Sequence, residues 1–221
     1  MKLRLLLASL ALISLSGSAM AEDPHAGLAP ESSEASGLTE VNPRFLLMDT
    51  SGRAIMDDYF AGRFQLISFG YTSCPSVCPG TLASMHVILD KLGTLAGQVQ
   101  PIFISVDPER DTPDLLERYT RSFDPRIMGL TGSAVLLQRT ADHFKVTYAK
   151  RVDAGSDPAN YSMDHSVGMY LIGPDGRFLT KYGFSASPQD IAQRLQVRIE
   201  AYNEEVRARE AAEKAQGPAI Q

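Results

Sequence analysis

The 221-residue sequence is poor in cysteine and has no excess of basic side chains. It contains two cysteines and no tryptophan, and its 21 lysines and arginines are outnumbered by 26 aspartates and glutamates. An acidic chain without basic clusters is not expected to bind nucleic acid or an anionic membrane surface. Beyond the first 21 residues there is also no apolar run long enough to cross a bilayer.

The first 21 residues have the pattern of a secretory signal peptide. Lys2 and Arg4 precede an apolar run from Leu5 to Leu15, and Ala19-Met20-Ala21 fits the small-x-small cleavage pattern. An uncleaved membrane anchor is the alternative, because the apolar stretch extended to Ala21 is close to the lower limit for a span. Serines within the stretch and the acidic pair Glu22-Asp23 favour cleavage. The sequence therefore predicts export to the periplasm.

The remaining chain divides into three parts. Residues 22–41 are rich in Ala, Ser, Glu, Pro and Gly without periodicity, so they are interpreted as a flexible leader. Residues 42–203 carry the periodic patterns of one folded domain, and residues 204–221 form a charged, Ala-rich tail predicted to be a solvated, fraying helix. Loss of residues 1–21 would leave 19 basic against 26 acidic side chains, a net charge of −7.

The first half of the domain alternates strands with helices. A hairpin is predicted around Asp49-Thr50-Ser51-Gly52, and Phe64–Phe69 and Val99–Val106 are apolar runs typical of buried strands. The first run is followed by a helix with Pro79 in its first turn, and the second by a helix capped by Thr112.

The second half ends in an antiparallel hairpin and a closing helix. Further elements are predicted at Ser133–Phe144 (helix), Val146–Arg151 (extended), Asp153–Asn160 (loop), Val167–Ile172 and Arg177–Tyr182 (strands), and from Ser187-Pro188 onward (helix). This order is typical of an α/β thioredoxin-like fold, with a central mixed sheet flanked by helices and an N-terminal hairpin extension.

Both cysteines lie where a buried strand gives way to a helix. Cys74 falls in the predicted loop and Cys78 at or beside the N-cap, so the helix N-terminus should bias a thiol there toward thiolate. Thiolates bind soft metals, and the pair prefers copper. A purely structural disulfide is the alternative, although so short a loop would contribute only about 2 kcal/mol on the loop-entropy model.

Two sulfurs leave the coordination of a metal incomplete, and four histidines are candidates for a third ligand. His25 lies in the leader, and His86 lies eight residues beyond Cys78, about 12 Å along the helix axis. His143 is interpreted as a polar-face or half-buried helix residue. His165, between a Gly- and Asn-containing loop and a buried strand, is favoured only slightly on spacing alone.

Three ordered segments closely resemble the Sco/SenC family. They are Phe69–Pro79 (FGYTSCPSVCP), Ser105–Pro113 (SVDPERDTP) and Asp164–Gly176 (DHSVGMYLIGPDG). The resemblance covers about residues 42–203. It implies a copper-binding thioredoxin-fold protein that helps to assemble the CuA centre of cytochrome c oxidase.

The resemblance assigns residues as well as a function. The two copper-binding cysteines of the family fall on Cys74 and Cys78, and its histidine ligand falls on His165. The cargo would be Cu(I) or Cu(II). The implied partners are cytochrome c oxidase subunit II or another apo copper protein, a thioredoxin-like reductant and other copper chaperones.

This chain departs from the family pattern at three places. Its N-terminus looks cleavable where many members keep an anchor, its tail after Tyr202 differs, and Ser76 stands where relatives often carry an acidic residue.

Two other functions compete with copper delivery. A thiol–disulfide oxidoreductase would use Cys74 and Cys78 as a redox-active disulfide to reduce the cysteines of the acceptor, but the familiar redox motif has two intervening residues and this pair has three. A thiol peroxidase would need one activated cysteine with a supporting arginine, and no such motif surrounds Cys74.

Four further residues have alternative interpretations. Met163 is either an auxiliary soft ligand or, as favoured, a packing residue. Asp107 and Asp111 either lie near the site or, as favoured, cap the following helix and organise the turn. Tyr71 is expected beside the thiols without a chemical role.

Overall fold

The computed structural model describes residues 41–216 except positions 153, 156, 158 and 159. The predicted signal peptide, His25 and nearly all of the predicted leader lie outside the described residues. Among the helices of the described part, none has an apolar stretch of the length that a bilayer requires.

A seven-stranded mixed sheet forms the centre of the fold. Its strands are β1 (Leu46–Asp49), β2 (Ala54–Met56), β3 (Phe64–Gly70), β4 (Val99–Ser105), β5 (Met128–Thr131), β8 (Met169–Ile172) and β9 (Phe178–Tyr182). Their spatial order is β2-β1-β5-β4-β3-β8-β9. The pairs β3–β4 and β4–β5 are parallel and the other pairs are antiparallel.

Helices cover both faces of the sheet. They are α1 (Val77–Leu92), α2 (Pro113–Phe123), α3 (Ala134–Phe144) and α4 (Pro188–Gln216). Helix α1 packs against α4 and α2, whereas α3 packs against β1. Phe69 of β3 meets the ring of Phe144 of α3 at 5.3 Å between centroids, while Phe103 of β4 meets Tyr119 of α2. Successive residues of a strand face opposite sides, so the apolar runs of β3 and β4 are buried on both faces.

The predicted α/β architecture is confirmed. The N-terminal hairpin β1–β2 extends the sheet by pairing with β5, the side chains of Thr112 and Ser133 cap α2 and α3, and α4 continues to Gln216. Helix α1 begins at Val77, so Cys78 is its second residue instead of its cap. Pro79 is accommodated because the first N–H groups of a helix have no partner within the helix.

Two features were missed by the sequence analysis. Strand β5 lies between α2 and α3 and extends the parallel part of the sheet. Between the predicted loop Asp153–Asn160 and the predicted strand Val167–Ile172 lies β7 (Ser162–His165), which was not predicted and which pairs with β6 (Tyr148–Arg151) in a separate two-stranded sheet. His165 is therefore the last residue of a strand, and not the start of β8.

Candidate metal centre

The two cysteines lie just beyond the carboxyl end of β3, one on each side of the start of α1. Cys74 is partly exposed in the loop, and Cys78 is buried with only 2% of its surface exposed. Both are free thiols. The parallel pair β3–β4 ends at this edge of the sheet, so the loop before α1 lies beside the turn that follows β4.

His165 reaches the same place from β7. Its Nε2 atom lies 3.6 Å from the Sγ atom of Cys78, and the two Sγ atoms and a ring nitrogen all lie within 4.8 Å of one another. Among the described residues, this is the one group of three or more histidine, cysteine, aspartate or glutamate side chains that could hold a metal ion. The three residues singled out from the sequence are thus brought together.

The ring of His165 presents a lone pair to the sulfurs. Its Nδ1 atom lies 3.0 Å from the carbonyl oxygen of Ser166, which can only accept a hydrogen bond. In a neutral imidazole Nδ1 therefore carries the proton and Nε2 is left as a metal-binding atom. The ring also meets Tyr71 edge-on, at 6.0 Å between centroids, as expected for a tyrosine beside the thiols.

The two thiols have opposite electrostatic surroundings. Partial burial alone would raise the pKa of Cys74, but hydrogen bonds from the backbone N–H and the thiol of Cys78, and from the N–H groups of Ser76 and Val77, outweigh burial and hold that pKa below its usual value. The N–H of Cys78 lies 3.4 Å from the Cys74 sulfur. The predicted bias toward thiolate thus applies to Cys74, whose sulfur accepts from the free N–H groups of the helix.

Cys78 has the opposite shift. Burial raises its pKa, and the hydrogen bond that its thiol makes with Cys74 adds to the effect. The single proton of this thiol is thus directed to the Cys74 sulfur, and Nε2 of His165 lies 3.6 Å from the same Cys78 sulfur. Binding of a metal to all three atoms would release the Cys78 proton.

Asp111 joins the two loops that carry the site. Its carboxylate accepts hydrogen bonds from the N–H of Thr72 at 3.0 Å, the hydroxyl of Thr72 at 2.6 Å and the hydroxyl of Ser105 at 2.6 Å. It does not cap α2, because that role belongs to Thr112. The favoured interpretation of Asp111 as a helix cap was wrong, and its contacts instead fix the loop before the cysteines.

Asp107 is likewise no helix cap. It organises its turn through backbone bonds from Arg110 and Asp111 to its carbonyl oxygen, as predicted. Its carboxylate binds Arg110 and accepts a hydrogen bond from the hydroxyl of Tyr161 at 2.8 Å. The sequence analysis gave no role to Arg110 or Tyr161, because their importance depends on a contact between segments about fifty residues apart.

The remaining candidates are engaged elsewhere. His86 is exposed and its Nδ1 atom lies 2.9 Å from the carboxylate of Asp124, and half-buried His143 contacts the carbonyl oxygen of Arg44. Met163 packs in the hydrophobic core, as favoured from the sequence.

A glycine makes room for the buried sulfur. A Cβ atom added at Gly70 would lie 2.6 Å from the Cys78 sulfur and within 2.9 Å of two ring atoms of Phe103. No real side chain tolerates such distances, so the end of β3 must lack a Cβ for Cys78 to occupy its place.

We expect Gly70→Ala to destabilise the domain by about 1–3 kcal/mol and to displace the Cys78 sulfur, because both neighbours are buried and cannot both yield. The matched control is Gly80→Ala in α1, where the new Cβ would make ordinary contact with Phe184 at 3.6 Å. The control should be neutral or stabilising by up to about 1 kcal/mol, the helix preference of Ala over Gly. Urea unfolding of both variants tests this, and equal stabilities would contradict it.

Comparison with known proteins gives a consistent result. Residues 33–200 match the SCO1/SenC family. A SCO2-like protein of Rickettsia felis is 40% identical over 151 residues, which are 68% of this chain and 73% of that protein.

Solved structures also resemble this chain. The copper-bound crystal structure of Arabidopsis thaliana ScoI is 33% identical with a TM-score of 0.67, and the match covers 73% of this chain and 99% of that one. BsSco, a member of the Sco family of cytochrome c oxidase assembly proteins in which a disulfide switch was identified, is 27% identical with a TM-score of 0.54, over 73% of this chain and 91% of that one. The predicted thioredoxin-like fold and the predicted family are both confirmed, and the chain belongs to the SCO1/SenC family.

Proposed function

We propose that this protein is a periplasmic copper chaperone that binds copper through Cys74, Cys78 and His165 and delivers it to the CuA site of cytochrome c oxidase. The observation that carries the proposal is the convergence of two sulfurs and one imidazole nitrogen within 4.8 Å of one another. Soft sulfur ligands with one imidazole suit copper in particular. The copper-bound structure of a similar ScoI protein supports the same metal.

The position of the site suits transfer of the metal. Cys74 is partly exposed while Cys78 is buried, so an incoming ligand can reach copper from one side. Three protein ligands also leave room for a fourth donor from an acceptor. Stepwise exchange of ligands with subunit II or another apo copper protein is therefore feasible without prior release of the ion.

Thiol–disulfide exchange is a second candidate function, because the two cysteines are unbridged and their sulfurs lie close together. Their sulfurs lie within 4.8 Å, so a modest movement would allow a disulfide with its usual length of about 2.05 Å. The protein would then act as a thiol–disulfide oxidoreductase, reducing a disulfide of the acceptor while Cys74 and Cys78 are oxidised. The disulfide switch of the similar BsSco supports this alternative.

One mixing experiment separates the two functions. The reduced mature protein, loaded with one equivalent of Cu(I), is mixed with the soluble CuA domain of subunit II, whose own cysteines are either reduced or joined in a disulfide. We expect copper to move to the reduced acceptor, as followed by metal analysis of the separated proteins. If copper does not move to the reduced acceptor, while the metal-free reduced protein converts the disulfide of the oxidised acceptor to thiols, the protein is a reductase and the delivery proposal is wrong.

A further inference from the structure

The hairpin that carries His165 is not part of the main sheet. Strands β6 and β7 pair with each other, with Tyr148 opposite His165, and neither joins the seven-stranded sheet. A two-stranded hairpin alone is marginally stable in water. Contacts made by side chains must therefore hold His165 at its distance from the cysteines.

Tyr161, immediately before β7, makes several of these contacts. Two cations contact its ring, with the guanidinium carbon of Arg110 at 3.6 Å and the ammonium nitrogen of Lys150 at 3.8 Å from the ring centre. Its hydroxyl donates to Asp107 at 2.8 Å, and its carbonyl oxygen accepts from Arg110 at 2.8 Å. The residue is 8% exposed and the side chain of Asp107 only 2%, so the bond between them is shielded from solvent, whereas the side chain of Lys150 remains 41% exposed.

Two partners of Tyr161 lie in a turn that also fixes the cysteine loop. Asp107 and Arg110 belong to the turn from Asp107 to Asp111, and the carboxylate of Asp111 binds Thr72 two residues before Cys74. One short turn thus contacts both halves of the metal centre. Lys150 of β6 adds an ion pair to Glu109 of the same turn at 2.9 Å.

We propose that Tyr161 is a positioning residue, which fixes the β6–β7 hairpin to the Asp107–Asp111 turn and so holds the imidazole of His165 beside the two sulfurs. Tyr161 itself contributes no atom to the metal. The copper measurements below rest on the proposed function, whereas the exchange measurement on the metal-free protein does not.

The first test is a double-mutant cycle on Cu(I) affinity, measured by chelator competition. We expect Tyr161→Ala to lower the affinity by about 10- to 100-fold, as is typical when a residue that orients a metal ligand is removed. In a His165→Ala background the same substitution should change the affinity by less than about twofold, because its effect acts through His165. Equal losses in both backgrounds would show a general effect on the fold and overturn the proposal.

A matched control is available at Tyr59. It also has an arginine over its ring, with Arg53 at 5.1 Å, but it is 52% exposed and lies before β3, at the end of that strand opposite to the cysteines. Tyr59→Ala should leave the copper affinity unchanged. Tyr161→Phe keeps the ring beside both cations and loses only the hydroxyl's bonds to Asp107 and Glu109, so its loss of affinity should be smaller than that of Tyr161→Ala.

The second test needs no metal. Amide hydrogen exchange of the reduced, copper-free protein should be at least about tenfold faster in β6 and β7 of Tyr161→Ala than in the unaltered protein, with β3 and β4 unchanged. Unchanged exchange in the hairpin would overturn the proposal. If His165→Ala alone left copper affinity unaltered, the proposed ligand set would fail, while this measurement would still decide whether Tyr161 fixes the hairpin.

Discussion

His165→Ala is expected to lower the affinity of the reduced protein for copper by roughly 100-fold or more while leaving the domain folded. A structural zinc site with four ligands yields about 10–16 kcal/mol, which is about 2.5–4 kcal/mol for each ligand, and each 1.4 kcal/mol is about tenfold. The ring is half-buried at the end of β7, and its polar partners are the Cys78 sulfur and the carbonyl oxygen of Ser166. Its loss should therefore remove a ligand and little of the packing.

Titration of copper followed by the sulfur-to-copper charge-transfer absorption measures this loss. The thermal midpoint of the metal-free variant should stay within about 3 °C of the original, equivalent to about 1 kcal/mol for a domain of this size. His86→Ala is the matched control, since His86 is exposed on α1 and its partner Asp124 keeps its bonds to Arg126. An unchanged affinity in His165→Ala would remove this histidine from the site and with it the proposed ligand set.

The sequence predicts the central strands and the helix starts well, because their signals are local. The apolar runs of β3 and β4 are buried on both faces, and Thr112 with Pro113 marks the start of α2 wherever the helix packs. The four-residue strand β5, in contrast, contains a glycine and offers too few residues for a recognisable period. The same shortness conceals β7, although its alternation of exposed and buried residues is visible once the pairing with β6 is known.

Sequence spacing alone could not predict that the histidine ligand lies beside the two cysteines. Cys78 and His165 are 87 residues apart, and the histidine arrives on a hairpin outside the main sheet. Only the resemblance to the Sco/SenC family singled out His165 clearly from the sequence. Nothing local indicated Tyr161, because the significance of a tyrosine beside a polar loop depends on the distant turn that it contacts.

The predicted behaviour of the thiols was correct for one cysteine and wrong for the other. A position near a helix N-terminus was expected to favour thiolate in general, yet the direction depends on where the sulfur lies. The sulfur of Cys74 faces the free N–H groups of α1, while that of Cys78 lies between Gly70 and Phe103 in the core. The gain from the helix dipole is small compared with the cost of burying a charged sulfur.

We therefore expect iodoacetamide to modify Cys74 of the reduced, metal-free protein near neutral pH and to leave Cys78 essentially unmodified. Only thiolate reacts, and two pKa units of separation already change the thiolate fraction about 100-fold. Because Cys78 is buried, the reagent also reaches its sulfur less easily, which widens the difference between the two reaction rates. Peptide mapping by mass spectrometry after short exposures gives both rates.

The pH dependence of the Cys74 reaction has a defined direction. Because its pKa lies below the usual value, its rate should rise with pH and reach half of its maximum at a lower pH than the rate of an unperturbed cysteine does. In Cys74→Ser the reaction of Cys78 should remain slow, and this variant should neither form a disulfide nor hold copper. In denaturant both cysteines of the original protein should react at similar rates, since the helix N–H groups and the core no longer distinguish them. Comparable rates for the two thiols in the folded protein would contradict this assignment. They would require the buried Cys78 to ionise as readily as Cys74, whose sulfur accepts hydrogen bonds from N–H groups at the start of α1.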